Sequence, residues 1–371
     1  MVPKMKIKIL EDAKIIMSNR DSRHAYFAWP TVARLKNGKI AVTASGYRLY
    51  HLCPFGKVAM TVSEDEGKTF SPLQTVIDTP LDDRDAGICP FGESGVIVTS
   101  FNNTTDTQRK WVRTTYMDRK TEAEMKYIEA YLDNVSAEQE KKYLGSTYKV
   151  SYDNGVTFGD VMHTVVNCPH GPIELSDGSI LYVGTDSAGD GVPRQYAGIC
   201  VAKMTPGSKG EIIGKIDVIP EGASWEPHVV ELPDGKLICH IRVQCYRSGE
   251  EILFTTYQSE SHDGGYTWTK PHKILSDHGG APAHLMYHSS GAVISVYGYR
   301  QAPYAIKAMI SYDGGETWDI DNVLYEQPHS ADIGYPASVE LKDGSLMTVF
   351  YAKAHELSPA EIYSIKWSFE L

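Results

Sequence analysis

The sequence predicts an all-β protein folded as a six-bladed β-propeller. Three observations predict it: an eight-residue turn pattern that occurs four times, a strand–turn–strand pattern that occurs six times, and a spacing of about 55 residues between copies. Repeated units of roughly this length, made of strands and turns throughout, are typical of four-stranded propeller blades. Six such blades account for most of the 371 residues.

The eight-residue pattern reads S-x-D-x-G-x-T-[W/F]. Its aspartate can accept backbone N–H groups within a turn, and its glycine can adopt a positive φ without steric cost. The aromatic residue is expected to pack beneath the turn. We therefore interpret each copy as the turn of a β-hairpin, and the copies lie at 63–70, 151–158, 261–268 and 311–318.

The strand–turn–strand pattern has a proline as its second residue in five of its six copies. These five copies begin at Trp29, Gly171, Glu226, Ala281 and Tyr335, and a degenerate copy without the proline begins at Asp85. The last four prolines are separated by 55, 55 and 54 residues. The regular spacing indicates that each copy supplies the first two strands of one blade.

The last blade has sequence for only about three strands, the third at 362–369. The strand Lys6–Leu10 is expected to supply the fourth, which closes the ring and removes its open sheet edges. With no linker in the sequence, residues 1–371 are predicted to form a single domain.

Blade 2 is longer than the others, and its excess lies at about 104–146. Ser136 and Gln139 form a capping-box pattern for a helix that ends near Gly145. A preceding helix is indicated by apolar residues three and four apart, namely Met125, Ile128, Leu132 and Val135. We expect a helical hairpin inserted into blade 2.

The composition argues against several classes of partner. The net charge is −11 and no Lys/Arg run suggests a nucleic-acid or membrane surface. The amino-terminal residues lack the apolar core of a signal peptide, and no apolar run is long enough to cross a bilayer. The six cysteines show no CxxC pair, so we expect reduced thiols in a cytoplasmic protein.

In a propeller, the first strands of all blades converge on the central axis, so residues near their starts share one pocket. The residues predicted to line this pocket are Trp29, Asp85, His170, Glu226, His228, His284 and Tyr335. The alternative interpretation of this set is a solvated channel lined by polar groups whose hydrogen bonds are satisfied.

Two further expectations concern charged and metal-binding residues. Arg84 is expected to bind a neighbouring carboxylate such as Asp82 or Asp83. No HxH or HExxH spacing supports a metal site, and no cofactor is expected.

The repeated boxes, the six blades and the Glu and Tyr that precede two first strands resemble the sialidase (neuraminidase) superfamily. The resemblance covers nearly the whole chain. It implies a retaining exo-glycosidase with a tyrosine nucleophile paired with a glutamate. It also implies three arginines that hold the carboxylate of the sugar, and an acid/base aspartate on a loop after blade 1.

The resemblance assigns roles to four residues. Tyr335, in IGYPASVELKDG, matches the nucleophile, and Glu226, in WEPHVVELPDGK, matches its partner. Arg242 falls 16 residues after Glu226, where the second arginine is expected, and Arg300 is placed as the third.

The sequence departs from the family pattern at two places. Ala28 occupies the position of the first arginine, and the loop 46–57, GYRLYHLCPFGK, contains no aspartate. Arg48 or Lys57 is a candidate for the missing cation. The candidates for the acid/base are His51, Asp85 and His170, since the proton donor must titrate near the working pH.

These residues favour a glycoside hydrolase that removes a terminal, acidic sugar such as a sialic acid from an oligosaccharide or glycoconjugate. A tyrosine suits this chemistry because a carboxylate nucleophile would be repelled by the carboxylate of the sugar. Two alternatives remain open: a lyase acting on uronate-containing glycans, and a propeller that binds glycans without catalysis.

Overall fold

The computed structural model describes residues 4–114, 120–186, 194–245, 253–275, 280–327 and 329–370. Its strands form six four-stranded sheets, each with antiparallel neighbours. The all-β, six-bladed propeller predicted from the repeats is confirmed.

Each blade takes four strands in order from the axis outwards. Blade 1 comprises β2 (Tyr26–Arg34), β3 (Ile40–Arg48), β4 (Lys57–Ser63) and β5 (Gln74–Ile77). Blade 2 comprises β6 (Arg84–Phe91), β7 (Gly95–Phe101), β8 (Ser146–Ser151) and β9 (Met162–His163). Blade 3 comprises β10 (Ile173–Glu174), β11 (Ile180–Gly184), β12 (Ile199–Met204) and β13 (Glu211–Ile216).

The second half of the ring repeats this order. Blade 4 comprises β14 (Ala223–Glu231), β15 (Leu237–Cys245), β16 (Leu253–Ser261) and β17 (His272–Lys273). Blade 5 comprises β18 (Gly280–Tyr287), β19 (Val293–Tyr299), β20 (Tyr304–Ser311) and β21 (Asp319–Gln327). Blade 6 comprises β22 (Gly334–Glu340), β23 (Leu346–Lys353), β24 (Ala360–Glu370) and β1 (Lys6–Met17).

Strand β1 closes the ring, as predicted. It pairs antiparallel with β24, from Lys6 opposite Glu370 to Met17 opposite Ile362. The strand is longer than the predicted Lys6–Leu10 because three register shifts let it follow the twisted edge of β24. The outer edge of blade 6 is thereby covered by a strand from the other end of the sequence.

The four eight-residue boxes form the turns between the third and fourth strands of blades 1, 2, 4 and 5. In the third of them, Asp263 accepts hydrogen bonds from the backbone N–H of Thr267 at 2.9 Å and from its hydroxyl at 2.6 Å. The hydroxyl of Ser261 accepts from the N–H of Gly265, whose φ is +94°. Trp268 packs against the core beneath, so the predicted turn is confirmed.

In the described part of the segment between β7 and β8, the chain forms three helices: α1 (Thr105–Thr114), α2 (Glu122–Asp133) and α3 (Ala137–Tyr143). The two helices expected from the sequence correspond to α2 and α3, and α3 has the predicted capping box of Ser136 and Gln139. Helix α1 was not predicted, because its sequence TDTQRKWVRT is polar and only two of its residues are buried.

The core lies between adjacent blades, where apolar faces of neighbouring sheets meet. Between blades 1 and 6, for example, Val42 and Ala44 of β3 share one cluster with Val349 and Tyr351 of β23. All six cysteines are free thiols. Among the described residues, no helix is long and apolar enough to cross a membrane.

Candidate active site

The first strands aim their side chains at the axis through a shared backbone irregularity. Four non-glycine residues near the starts of these strands have a left-handed φ: Trp29 (54°), Asp85 (43°), Glu226 (45°) and Tyr335 (49°). Each lies where the strand register shifts. Such bulges re-aim a side chain, and a positive φ in residues of this size is uncommon. The repeat therefore brings these four side chains together at one end of the channel.

Tyr335 and Glu226 form a hydrogen-bonded pair at this end of the channel. The Tyr335 hydroxyl donates to Oε1 of Glu226 at 2.6 Å. Burial and the charge of Glu226 raise the pKa of Tyr335 well above its usual value, whereas Arg242 and Arg300 lower it. The hydroxyl is therefore protonated at rest, and Glu226 is positioned to accept its proton.

The two predicted arginines flank this pair. Arg242 lies on β15 and forms an ion pair with Oε2 of Glu226. Arg300 follows β19, and its guanidinium lies 5.5 Å from the centre of the Tyr335 ring. It donates to the Tyr351 hydroxyl at 2.6 Å and to the carbonyl of Ile333 at 2.8 Å. Both guanidinium groups are thus fixed in position beside the tyrosine.

Trp29 lies edge-on to Tyr335, with ring centres 6.3 Å apart, and has two arginines against its ring. The guanidinium of Arg84 lies 4.3 Å from the ring centre and that of Arg48 lies 4.9 Å from it. Ala28, at the position of the missing arginine, is fully buried in the core. The cations nearest to that end of the site are therefore those that stack on Trp29.

Arg48 and Arg84 are held by the same carboxylate, Asp82. Arg48 is fully buried, donates twice to Asp82, and also binds the carbonyl of His51 at 3.0 Å. Arg84 contacts Asp82 at 3.4 Å, as expected for a partner of a local carboxylate, and also lines the active-site cavity. Arg48 thus supports Trp29 and the His51 loop from beneath, and Arg84 is the one in contact with the cavity.

His51 is held in a cluster with Asp332 and Tyr26. Its Nδ1 lies 3.0 Å from Oδ1 of Asp332 and 2.8 Å from the Tyr26 hydroxyl. The Tyr26 hydroxyl donates to both oxygens of Asp332 at 2.9 and 3.0 Å. Burial opposes ionisation of Asp332, but His51 and Tyr26 outweigh it and hold its pKa at about 2. The His51 ring packs edge-on against Trp29, with centres 5.0 Å apart.

The cavity at this end of the channel measures about 140 Å³. Asp85 lines it together with Glu226 and Tyr335, as the sequence predicted. The remaining lining residues are Arg84, Phe101, Asn167, Pro169, Thr185 and Trp225. The pocket therefore combines two carboxylates, a phenol and a guanidinium with an apolar wall.

The structure does not bring every predicted residue into this cavity. Lys57 lies at the outer face of blade 1, where its ammonium pairs with Asp78 at 2.6 Å. His170, His228 and His284 line a second cavity, which shares no lining residue with the first. His228 lies two residues after the left-handed Glu226, whereas His170 precedes both Gly171, with its positive φ, and β10. The separate linings place the two cavities at different levels of the channel.

Three residues of the site were missed by sequence reasoning: Asp332, Tyr26 and Tyr351. Asp332 precedes Tyr335 by three residues, and Tyr26 precedes Trp29 by three. The spacing does not recur at Glu226, which Ala223 precedes by three, so the sequence carries no repeated signal for these residues. Among the described residues, no cluster of His, Cys, Asp and Glu has a geometry suited to a metal ion.

Comparison of the chain with known protein families gives one match. The family of BNR repeat-like domains matches residues 134–348. No curated protein matches the chain.

Solved structures match over almost the whole chain. A protein of unknown function from Dyadobacter fermentans has a TM-score of 0.73 at 18% identity, covering 98% of this chain and 99% of that one. The NanB sialidase of Streptococcus pneumoniae has a TM-score of 0.64 at 12% identity, covering 96% and 70%. An α-L-arabinanase of Penicillium chrysogenum has a TM-score of 0.62 at 13% identity, covering 96% and 98%. At these identities the likeness shows the shared propeller fold.

Proposed function

The chain belongs to the family of BNR repeat-like domains and has a sialidase-like propeller, and from this premise we propose that it is a retaining exo-glycosidase that removes a terminal acidic sugar. The observation that carries the proposal is the hydrogen bond of 2.6 Å between Tyr335 and Glu226, set between Arg242 and Arg300. A buried phenol paired with a carboxylate is a nucleophile with its own base.

In the first step, the Tyr335 oxygen attacks the anomeric carbon while its proton passes to Oε1 of Glu226. Arg242 binds the other oxygen of Glu226 and so fixes the direction in which the carboxylate accepts. The C–O bond to the leaving group breaks, and a glycosyl–tyrosine intermediate forms. Because the phenol is neutral before attack, it is not repelled by a carboxylate on the sugar.

The carboxylate of the sugar is assigned to the guanidinium groups of Arg300 and Arg242, which lie beside Tyr335 and Glu226. Both guanidinium groups are largely buried, and a charged hydrogen bond is stronger there than in water. Arg84 supplies a third cation from the Trp29 side. These three cations differ from the three arginines that the family resemblance implies around the sugar carboxylate, because Arg84 already contacts Asp82.

His51 is proposed as the acid/base. With Nδ1 engaged by Asp332, the transferable proton is carried by Nε2. Protonated His51 gives this proton to the leaving oxygen, and neutral His51 then takes a proton from the water that attacks the anomeric carbon. In that second step the Tyr335 oxygen leaves and recovers its proton from Glu226. Asp85, which lines the cavity, is the competing candidate.

A lyase acting on uronate-containing glycans is the second candidate function. The specific observation in its favour is that His51 and Tyr335 both contact Trp29, so two proton carriers other than a carboxylate flank one site. In elimination, one of them would remove the proton next to the uronate carboxylate. The unsaturated product absorbs ultraviolet light, whereas the products of hydrolysis do not.

The test uses aryl glycosides of sialic acids, uronic acids and related acidic sugars with wild-type and Tyr335→Phe proteins. We expect release of the aryl alcohol with retention at the anomeric carbon, observed by NMR, and at least a ~10³-fold loss of kcat in the variant. The matched control is Tyr325→Phe, a partly buried tyrosine of blade 5. Full activity of Tyr335→Phe, or no turnover of any acidic glycoside, would contradict the proposal.

A further inference from the structure

The second cavity, which we call the histidine cavity, measures about 350 Å³ and lies along the same axis as the active site. Earlier residues of the first strands, such as Asp85 and Glu226, line the active site. Later residues of the same strands, such as Ile88 and His228, line the histidine cavity. The two cavities therefore lie at different levels along the first strands.

Three imidazole rings form the inner end of the histidine cavity. His228 and His284 are stacked with centres 4.3 Å apart, and His170 meets them edge-on at 5.5 and 5.2 Å. The three residues are only 1–7% exposed. Burial lowers the pKa of each of them well below its usual value, so the rings are neutral at pH 7.

The backbone determines which nitrogen of two rings carries the proton. The N–H of Leu285 donates to Nδ1 of His228 at 2.9 Å, and the N–H of Ser338 donates to Nδ1 of His284 at 3.4 Å. Because a neutral ring has one proton, Nε2 of both residues is an N–H donor. A nitrogen that carries a proton cannot bind a metal, and no metal cluster is found among the described residues.

These donors lack a protein acceptor. No hydrogen bond joins Nε2 of His228 or His284 to another residue in the described part of the chain, and Nε2 of His170 is buried without a partner. His228 and His284 both line the cavity, so a molecule bound there can accept from their Nε2–H groups, and an anionic oxygen is the strongest acceptor for such donors.

The cationic side chains in the outer part of the cavity are paired with carboxylates. Arg34 pairs with Glu66 at 2.8 Å, and Lys36 pairs with Glu174, which also lines the cavity. An anion would therefore be recognised at the inner end, by the imidazoles, and not by free cations at the rim. The volume accommodates a tetrahedral oxyanion with room for water.

We propose that the histidine cavity binds a small oxyanion through the Nε2–H groups of His228 and His284, with His170 as a third contact. This site is separate from the catalytic pocket and does not depend on the proposed reaction. It assigns a function to three histidines that the tyrosine mechanism does not use.

The first test is thermal unfolding of the full chain in increasing inorganic phosphate at constant ionic strength. A ligand at ten times its Kd raises Tm by roughly 2 °C for a protein of this size. We expect a saturable rise that is lost in His228→Asn, whose side-chain oxygen can still accept from Leu285. The rise should persist in His240→Asn, a buried histidine outside the cavity, and in Arg300→Gln.

The second test requires no variant, in case His228→Asn does not fold. Wild-type crystals soaked in sodium selenate should show an anomalous difference peak within hydrogen-bonding distance of His228 and His284. Selenate found only at Arg242 and Arg300 would overturn the proposal. So would a phosphate-dependent rise in Tm that survives in His228→Asn or is absent from the wild type.

Discussion

At the scale of single residues, the site depends on backbone conformations that side chains rarely adopt. Trp29, Asp85, Glu226 and Tyr335 each have a left-handed φ, at a cost of order 1–3 kcal/mol per residue. The flanking strands, which are hydrogen-bonded on both sides of the bulge, hold these residues in place. The strain is concentrated at one end of the channel, where three of the four side chains line one cavity and Trp29 packs beside Tyr335. Such clustering is the pattern expected of a functional site.

The role of Asp332 leads to a prediction about kcat. The pKa of Asp332 is held at about 2, so its carboxylate is ionised at neutral pH and accepts a hydrogen bond from Nδ1 of His51. This contact orients the ring so that Nε2 carries the proton for the leaving group. In Asp332→Asn, kcat should fall by about 10-fold or more for glycosides with poor leaving groups, and less for activated aryl glycosides. A control is Asp321→Asn, which removes a surface partner of Lys307. An unchanged kcat in Asp332→Asn for the poor leaving groups would exclude His51 as the acid.

The sequence predicted the residues that lie in repeats and missed those that act across blades. Tyr335 and Glu226 could be found because both precede the same strand pattern as Trp29. Asp332 could not, because its partner His51 is 281 residues away and only ring closure brings them together. Arg84 was predicted to bind a carboxylate, and its contact with Trp29 depends on the packing of blade 2 against blade 1.

At the scale of elements, each box turn is a small hydrogen-bonded unit centred on an aspartate. The pKa values of Asp65, Asp153 and Asp263 are lowered to about 2, chiefly by hydrogen bonds from the serine and threonine of the same box. Because the pKa of each aspartate is lower in the folded than in the unfolded protein, ionisation of the aspartate stabilises the fold. This stabilisation is present above the unfolded-state pKa of about 3.9. It is lost as the pH falls towards 2.

Removing one box aspartate should therefore destabilise the protein more than removing an ordinary turn aspartate. We expect Asp263→Ala to lower the free energy of unfolding by about 1 kcal/mol, a modest value because the turn is exposed. The control, Asp234→Ala, loses a single hydrogen bond at 3.1 Å from the N–H of Lys236. Denaturant unfolding at pH 7 measures both, and equal effects would show that the box is not a stabilising unit.

The helical insertion packs on the loop that carries His51. Ile128 and Leu132 of α2 share one cluster with Cys53 and Phe55 of that loop. Gln108 of α1 donates to Asp82 at 3.0 Å, the carboxylate that holds Arg48 and Arg84. Apolar spacing predicted α2, whereas α1 has too few apolar residues to be seen in the sequence. The insertion therefore supports the candidate site through contacts that its own sequence does not show.

At the scale of the whole molecule, the ring is closed by β1, which pairs with β24 over 12 residues of chain. The closing strand was predictable because blade 6 lacked a fourth strand. The length of the pairing was not, because the register shifts in β1 depend on the twist of its partner. Face-to-face contact between blades 6 and 1 also supports Tyr335 and Trp29, which lie in one core cluster.

Removal of residues 1–17 should expose the edge of β24 and open the ring. We expect the truncated protein to unfold at a lower temperature and to associate through the free edge, as measured by thermal unfolding and light scattering. A control that lacks only residues 1–3 should match the full chain. A truncated protein that remains monomeric with an unchanged Tm would show that β1 is dispensable for closure.

The proposed covalent attachment of the sugar to Tyr335 can be measured by intact-protein mass spectrometry with peptide mapping. The protein is incubated with a fluorinated acidic glycosyl fluoride, in which the second fluorine slows hydrolysis of the intermediate. We expect a mass increase of one sugar per chain, located on the peptide that contains Tyr335 and absent from Tyr335→Phe. A sugar attached to Asp85 or Glu226, or none formed from a reagent whose parent glycoside is turned over, would contradict it.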